Sequence, residues 1–220
     1  MIEKLLPPAV ACVEAFGDVP GEPVFPGEED LVANAVAVRR REFVTARRCA
    51  REALVRLGHP PVPIRPGARR DPQWPPGVVG SITHCAGYRA AAVAPRSDLA
   101  GLGIDAEPHA PLPDGVVDVV AGAGERAALA ELARSEPAVH WDRLLFSAKE
   151  SIYKAWYPLC GRWLGFEDVR LDIAAGHGTF TGDLRVDGSR VDGGPPLTRL
   201  HGTYLIDRDL VVTAVTVGSS

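Results

Sequence analysis

Apolar positions fall at helical intervals in two long stretches of the chain and alternate or run together in seven shorter ones. Between residues 28 and 57, Phe43, Ala50, Leu54 and Leu57 form one stripe, and Gly58 with Pro60 and Pro61 ends the pattern. A second helical stretch spans 139–157, closed by Pro158 and Gly161. Shorter helices are predicted at 7–16, 116–121 and 125–135. Strand-like runs occupy 78–85, 88–94 and 99–107, then 169–173, 179–186, 198–207 and 210–217. Ala86-Gly87 fits a tight turn, so the first two runs read as a hairpin. Helices followed by strands in each half predict an α+β fold rather than an alternating parallel sheet. No internal repeat is visible.

The arginines of the first helix can be sorted by angle. With Phe43 at zero and ~100° per residue, Arg39 and Arg47 lie within ~40° of the apolar stripe, whereas Arg41, Arg48 and Arg56 point to solvent. A guanidinium held on a core face needs an anion or a full set of acceptors. Otherwise its stem covers apolar surface while the head reaches water. Both readings stand at this point.

The third strand-like run ends in Gly103-Ile104-Asp105-Ala106-Glu107. On a strand, side chains two apart share a face, so Asp105 and Glu107 point one way and Ile104 and Ala106 the other, toward a core. Two like charges side by side repel unless a cation lies between them, and hard carboxylate oxygens suit Mg²⁺; two solvated acids on an exposed strand end are the plainer possibility. The same segment matches a Gly-x-Gly-x-x-Ala dinucleotide fingerprint, but Glu107-Pro108-His109-Ala110-Pro111 opens no helix, so that motif is rejected. His84 ends a strand with neither a nucleophile elbow nor an HExxH motif in the chain.

Composition changes this picture in one place. The chain has 220 residues, 46% hydrophobic and 24% charged, enough for a globular core. A formal net charge of −4 excludes a globally basic nucleic-acid binder. No apolar run reaches the ~20 residues of a membrane helix, and the first residues do not read as a signal peptide. Four scattered cysteines without a framework predict reduced thiols in a cytoplasmic protein, which is expected to be a monomer. Of 24 basic residues only Lys4, Lys149 and Lys154 are lysine, and two of them flank Glu150 in Phe146-Ser147-Ala148-Lys149-Glu150-Ser151-Ile152-Tyr153-Lys154. Lysine is a compact charge that can give up a proton, which guanidinium cannot do at neutral pH. Glu150 and Lys154 are also spaced for an i,i+4 ion pair.

The Gly103–Glu107 acids followed by the Phe146-x-x-Lys149-Glu150-x-x-x-Lys154 block resemble the signature of 4′-phosphopantetheinyl transferases of the surfactin-synthetase-activating type. Segments 39–51, 74–89, 103–113 and 140–168 are similar to the actinobacterial PptT group, itself similar to the enterobactin-pathway enzymes. The resemblance implies a pseudo-dimer of two similar α+β halves, 1–108 and 109–220, with coenzyme A in the cleft between them. It implies transfer of phosphopantetheine to a serine of an acyl or peptidyl carrier protein of fatty-acid, polyketide or nonribosomal-peptide synthesis. In that scheme Asp105, Glu107 and Glu150 match Mg²⁺ ligands, and Glu150 also the general base. Lys154 matches the group that neutralises the leaving oxygen. Lys149, Thr83, His84 and Tyr153 match coenzyme A contacts, and Arg39 and Arg47 contacts to its 3′-phosphate. Relatives often carry a lysine in the loop before the hairpin; Arg65, Arg69 and Arg70 stand there, and Arg69 is taken as the contact. The family's carriers present an acidic helix, so an apolar and basic docking patch is expected near the cleft, with Arg126 a candidate. A Mg²⁺-dependent hydrolase of coenzyme A and a non-catalytic coenzyme A-binding module are the competing readings. Retention of all three acids and of Lys154 argues against the second.

Overall fold

The computed structural model describes residues 1–219. Two antiparallel sheets lie edge to edge, and a 20-residue helix crosses each. In the first half α1 (Ala37–Arg56) covers a sheet of order β1-β3-β2, built from β1 (Ala11–Ala15), β2 (Val78–Cys85) and β3 (Tyr88–Pro95). In the second half β4 (Leu99–Pro108) leads to α2 (Val116–Val120), α3 (Ala123–Ser135) and α4 (Trp141–Cys160). Strands β5 (Val169–Ala174), β6 (Thr179–Leu184), β7 (Arg199–Asp207) and β8 (Leu210–Gly218) complete the sheet β4-β8-β7-β6-β5. Three apolar clusters follow: α1 on the first sheet, α4 on the second, and a third behind both sheets containing Ile2, Tyr88, Leu102, Ile104 and Val212.

The short helix predicted at 7–16 is instead strand β1, paired with β3 from Ala11↔Val93 to Ala15↔Arg89. Without it β3 would have an open edge, and the ladder outweighs a weak local helical preference. The 28–57 helix is a 3₁₀ turn at Glu29–Val32 and then α1. Helix α4 runs through Pro158 to Cys160, and Gly161, at φ 64, donates to the Tyr157 carbonyl as its cap. The boundary expected after residue 108 cuts β4 off from its sheet, because β4 pairs with β8 along its length. Along the chain the two sheets divide between β3 and β4, and in space they meet at β2 and β4.

Two features of β4 place the chemistry. Its inner edge meets β2 through side chains: the hydroxyls of Ser81 and Thr83 accept hydrogen bonds from the amides of Ile104 (3.1 Å) and Ala106 (3.0 Å). These hydroxyls replace the carbonyls a regular ladder would supply. Over the other face, α4 touches the backbone of β4, and a Cβ on Gly103 would come within 2.0 Å of the Ser151 carbonyl oxygen. The Gly-x-Gly pair thus serves helix packing, and it brings Glu150 and Lys154 down beside Asp105.

Candidate functional site

A cleft of about 580 Å³ lies between the halves. One wall carries Arg39, Phe43 and Arg47 of α1, Trp74, and His84 at the end of β2; the opposite wall is Glu150, Tyr153, Lys154, Tyr157 and Pro158 of α4. The Pro66–Pro72 loop borders the opening with Arg69 and Arg70.

The first wall is cationic. Arg47 sits 3.6 Å over the Phe43 ring, donates to the Ile64 carbonyl at 3.1 Å, and has its pKa lowered to about 10, chiefly by burial. That leaves a desolvated guanidinium without a carboxylate partner among the described residues. Arg39 is exposed and donates to His84 Nε2 at 2.9 Å and to Glu42 at 3.3 Å. A guanidinium only donates, so His84 Nε2 is the acceptor and the ring is neutral there. Burial, then the Arg39 charge, holds the His84 pKa below its ordinary value. Of the three loop arginines, Arg65 turns away to a bidentate pair with Asp30 (2.9 and 2.7 Å), whereas Arg69 and Arg70 line the cleft. Arg70 holds a left-handed backbone, φ 66, in the tight turn that presents both.

The second wall is acidic behind and aromatic in front. Asp105 is buried and receives hydrogen bonds from Lys154 (2.7 Å), the Ser147 hydroxyl (2.8 Å) and the Thr83 hydroxyl (3.3 Å). Glu107 shares its strand face and is gripped by Arg143 at 2.9 Å; burial, then Asp105, raises its pKa. Burial also raises the Glu150 pKa, with Asp105 adding to the effect and Lys154 opposing it. Among the described residues no donor reaches the Glu150 carboxylate. Tyr153 stacks against Tyr157 at 5.9 Å and meets Trp163 at 5.2 Å.

The donor set suits a hard divalent cation: Asp105 pushes up the pKa of both neighbouring carboxylates, a strain that positive charge relieves. Lys154 already meets Asp105 with an ammonium. The three acids are not gathered into a ligand sphere, however, and among the described residues no three metal-ligating side chains are so placed.

Three expectations for individual side chains are corrected. The Glu150–Lys154 pair does not close, because Lys154 turns to the more buried charge of Asp105 and to the Ile104 carbonyl (3.0 Å). Thr83 faces the seam under Asp105, while its neighbour His84 points to the cleft, as alternation along a strand requires. Lys149 does not reach the cleft. It is 3% exposed and paired with Glu125, and burial lowers its pKa against that pairing.

Residues 27–94 match the model of the 4′-phosphopantetheinyl transferase N-terminal domain, and residues 101–192 match that of the 4′-phosphopantetheinyl transferase superfamily. The chain belongs to this superfamily. It is 53% identical to 4′-phosphopantetheinyl transferase Svp of Streptomyces mobaraensis, over 100% of this chain and 90% of that one. It is 48% identical to 4′-phosphopantetheinyl transferase PptT of Mycobacterium tuberculosis, over 98% and 97%. Enterobactin synthase component D of Salmonella typhi matches less of it: 34% identity over 57% of this chain and 52% of that one. This protein is therefore an enzyme, a transferase of the phosphopantetheinyl group, with the two-halved α+β fold of its family.

Sequence reasoning missed several residues that shape the transferase site. Ser147 and Arg143 orient Asp105 and Glu107 from α4, and Glu42 stands between Arg39 and His84. Helix angle could have found Ser147, one turn before Glu150 on the same side. Arg51 of α1 is buried on Glu28. Nothing local marks Arg143, whose partners lie across a loop.

Proposed function

We propose that the enzyme transfers 4′-phosphopantetheine from coenzyme A to a serine hydroxyl of an acyl or peptidyl carrier protein, releasing adenosine 3′,5′-bisphosphate. The observation that carries this reading is the cleft itself: two guanidiniums and a histidine on one wall face a carboxylate without a donor and an ammonium on the other. Arg47, desolvated yet lacking a carboxylate, suits the 3′-phosphate dianion, with Arg39 beside it. Arg69 or Arg70 closes over the coenzyme from the loop; Arg65 is engaged elsewhere.

Transfer forms a bond from the serine oxygen to the β-phosphorus and breaks that phosphorus's bond to the bridging oxygen. Glu150 takes the serine proton. Among the described residues no donor occupies its carboxylate, which leaves an oxygen free to accept that proton. Lys154 faces the leaving oxygen and neutralises or protonates it, while Asp105 holds the ammonium in place. Asp105, Glu107 and Glu150 would hold Mg²⁺, which when bound supplies charge neutralisation on the diphosphate. The reading places the enzyme in the cytoplasm as a monomer. Its four cysteines are free, and no helix among the described residues is long and apolar enough to cross a membrane.

The test is mass spectrometry of an apo carrier protein incubated with the enzyme, coenzyme A and Mg²⁺. Transfer adds the phosphopantetheine mass to the carrier. Consumption of coenzyme A without modification would mean a hydrolase, and neither outcome would mean a binding module.

A further inference from the structure

We propose that Lys149 is a positioning residue for Glu150, acting from outside the cleft through the setting of helix α4. The proposal rests on the transferase reading above. An ammonium has three donors, and here each has an acceptor at 2.9 Å: the Val120 carbonyl ending α2, the Glu125 carboxylate in the first turn of α3, and the Phe166 carbonyl beyond α4. No donor remains for a phosphate. Glu125 completes the knot, accepting from the amides of Gly122 and Leu171, both at 2.7 Å, so that α2, α3, α4 and β5 all converge on one buried pair.

The consequence for catalysis follows from the helix period. Lys149 lies ~100° around α4 from Glu150, whereas Lys154 lies only ~40° from it. Glu150 has no donor of its own to fix it among the described residues. Its location is inherited from the rotation of α4, and the knot on the adjacent flank, together with the contact at Gly103, sets that rotation. A displacement of ~1 Å at a reacting group lowers rate by about 10²-fold, so a small turn of the helix is enough to matter.

The experiment compares the unmodified enzyme with Lys149→Met and with Lys149→Met/Glu125→Gln, which avoids an unpaired buried carboxylate should the single variant fold poorly. Coenzyme A affinity is measured by calorimetry with Mg²⁺, and transfer to an apo carrier by mass spectrometry, at a temperature where circular dichroism shows each variant folded. We expect coenzyme A affinity within about 2-fold of the unmodified enzyme and kcat lower by about 10–100-fold, the range a sub-ångström to ångström shift produces. A loss of coenzyme A affinity of about 10-fold or more with kcat retained would make Lys149 a phosphate ligand and overturn the proposal. So would unchanged kcat with only a lower Tm, which would make the knot a stabilising element alone. Absence of transfer by the unmodified enzyme on any apo carrier would overturn the transferase reading and this proposal together. Failure of the positioning role alone leaves transfer by the unmodified enzyme intact.

Discussion

Two lysines stand five residues apart on the same helix and occupy opposite environments. Lys149 is 3% exposed, with three acceptors for three donors, and its carboxylate partner is fully engaged as well. Lys154 borders open solvent in the cleft, one contact from a buried aspartate, beside a glutamate that no donor reaches. One flank of α4 is closed electrostatically and the other is left incomplete. Breaking a buried pair by removing one partner is destabilising by about 3–5 kcal/mol, so the closed flank resists change. The incomplete flank holds Glu150 with its pKa raised by burial, a charge that a cation can satisfy. The difference separates what holds the helix from what the helix presents.

The sharpest test of that difference is Glu150→Gln. Transfer should fall by at least ~10³-fold, within the range for loss of a positioned proton acceptor, while the fold persists. The same change should raise the melting temperature at neutral pH, because the folded state raises this carboxyl's pKa and so disfavours the ionised form that the substitution removes. The gain should vanish as pH falls below the ordinary carboxylate pKa, where the side chain is protonated in both folded and unfolded chains. A lower melting temperature for the variant would show that the cleft face contributes stability after all.

Gly103→Ala attacks both flanks together, since its Cβ would meet the Ser151 carbonyl and lift α4 from β4. We expect destabilisation at or above the upper end of the ~1–3 kcal/mol seen for overpacking, read as a shift in urea midpoint. Arg47→Ala should weaken coenzyme A by about 10–100-fold, matching ~1.5–3 kcal/mol for a charged hydrogen-bonded contact. It should weaken 3′-dephospho-coenzyme A much less in the same calorimeter; equal losses would make Arg47 structural. Arg65→Ala should be the mildest change, within about 2-fold in coenzyme A affinity, because an exposed ion pair contributes little. A large loss there would return Arg65 to the cleft.

The strands and the long helices are legible in the chain because their periods are local. Alternation alone puts Ile104 and Ala106 in the core, opposite Asp105, and helix angle alone brings Arg39 and Arg47 to the cleft wall. Local pattern failed at β1, where pairing with β3 decided the conformation. The boundary that the resemblance implied leaves β4 with the first half, although it pairs with β8, a strand more than 100 residues later in the chain. Lys149, which the resemblance put among the coenzyme A contacts, was equally illegible. In the sequence the two lysines flanking Glu150 look equivalent; the acceptors that capture one of them come from Val120, Glu125 and Phe166, none on the same helix.

By itself, then, the order of residues determined which groups carry charge, which face of each element they occupy, and the family to which that pattern belongs. Only tertiary structure decided which charges were satisfied: Lys154 chose Asp105 over Glu150, Thr83 was drawn to the seam, and Arg65 was held by Asp30. The reason is electrostatic. The free energy of a charge depends on how far it is desolvated and on the partners it meets there, and both are set by elements that approach from distant parts of the chain.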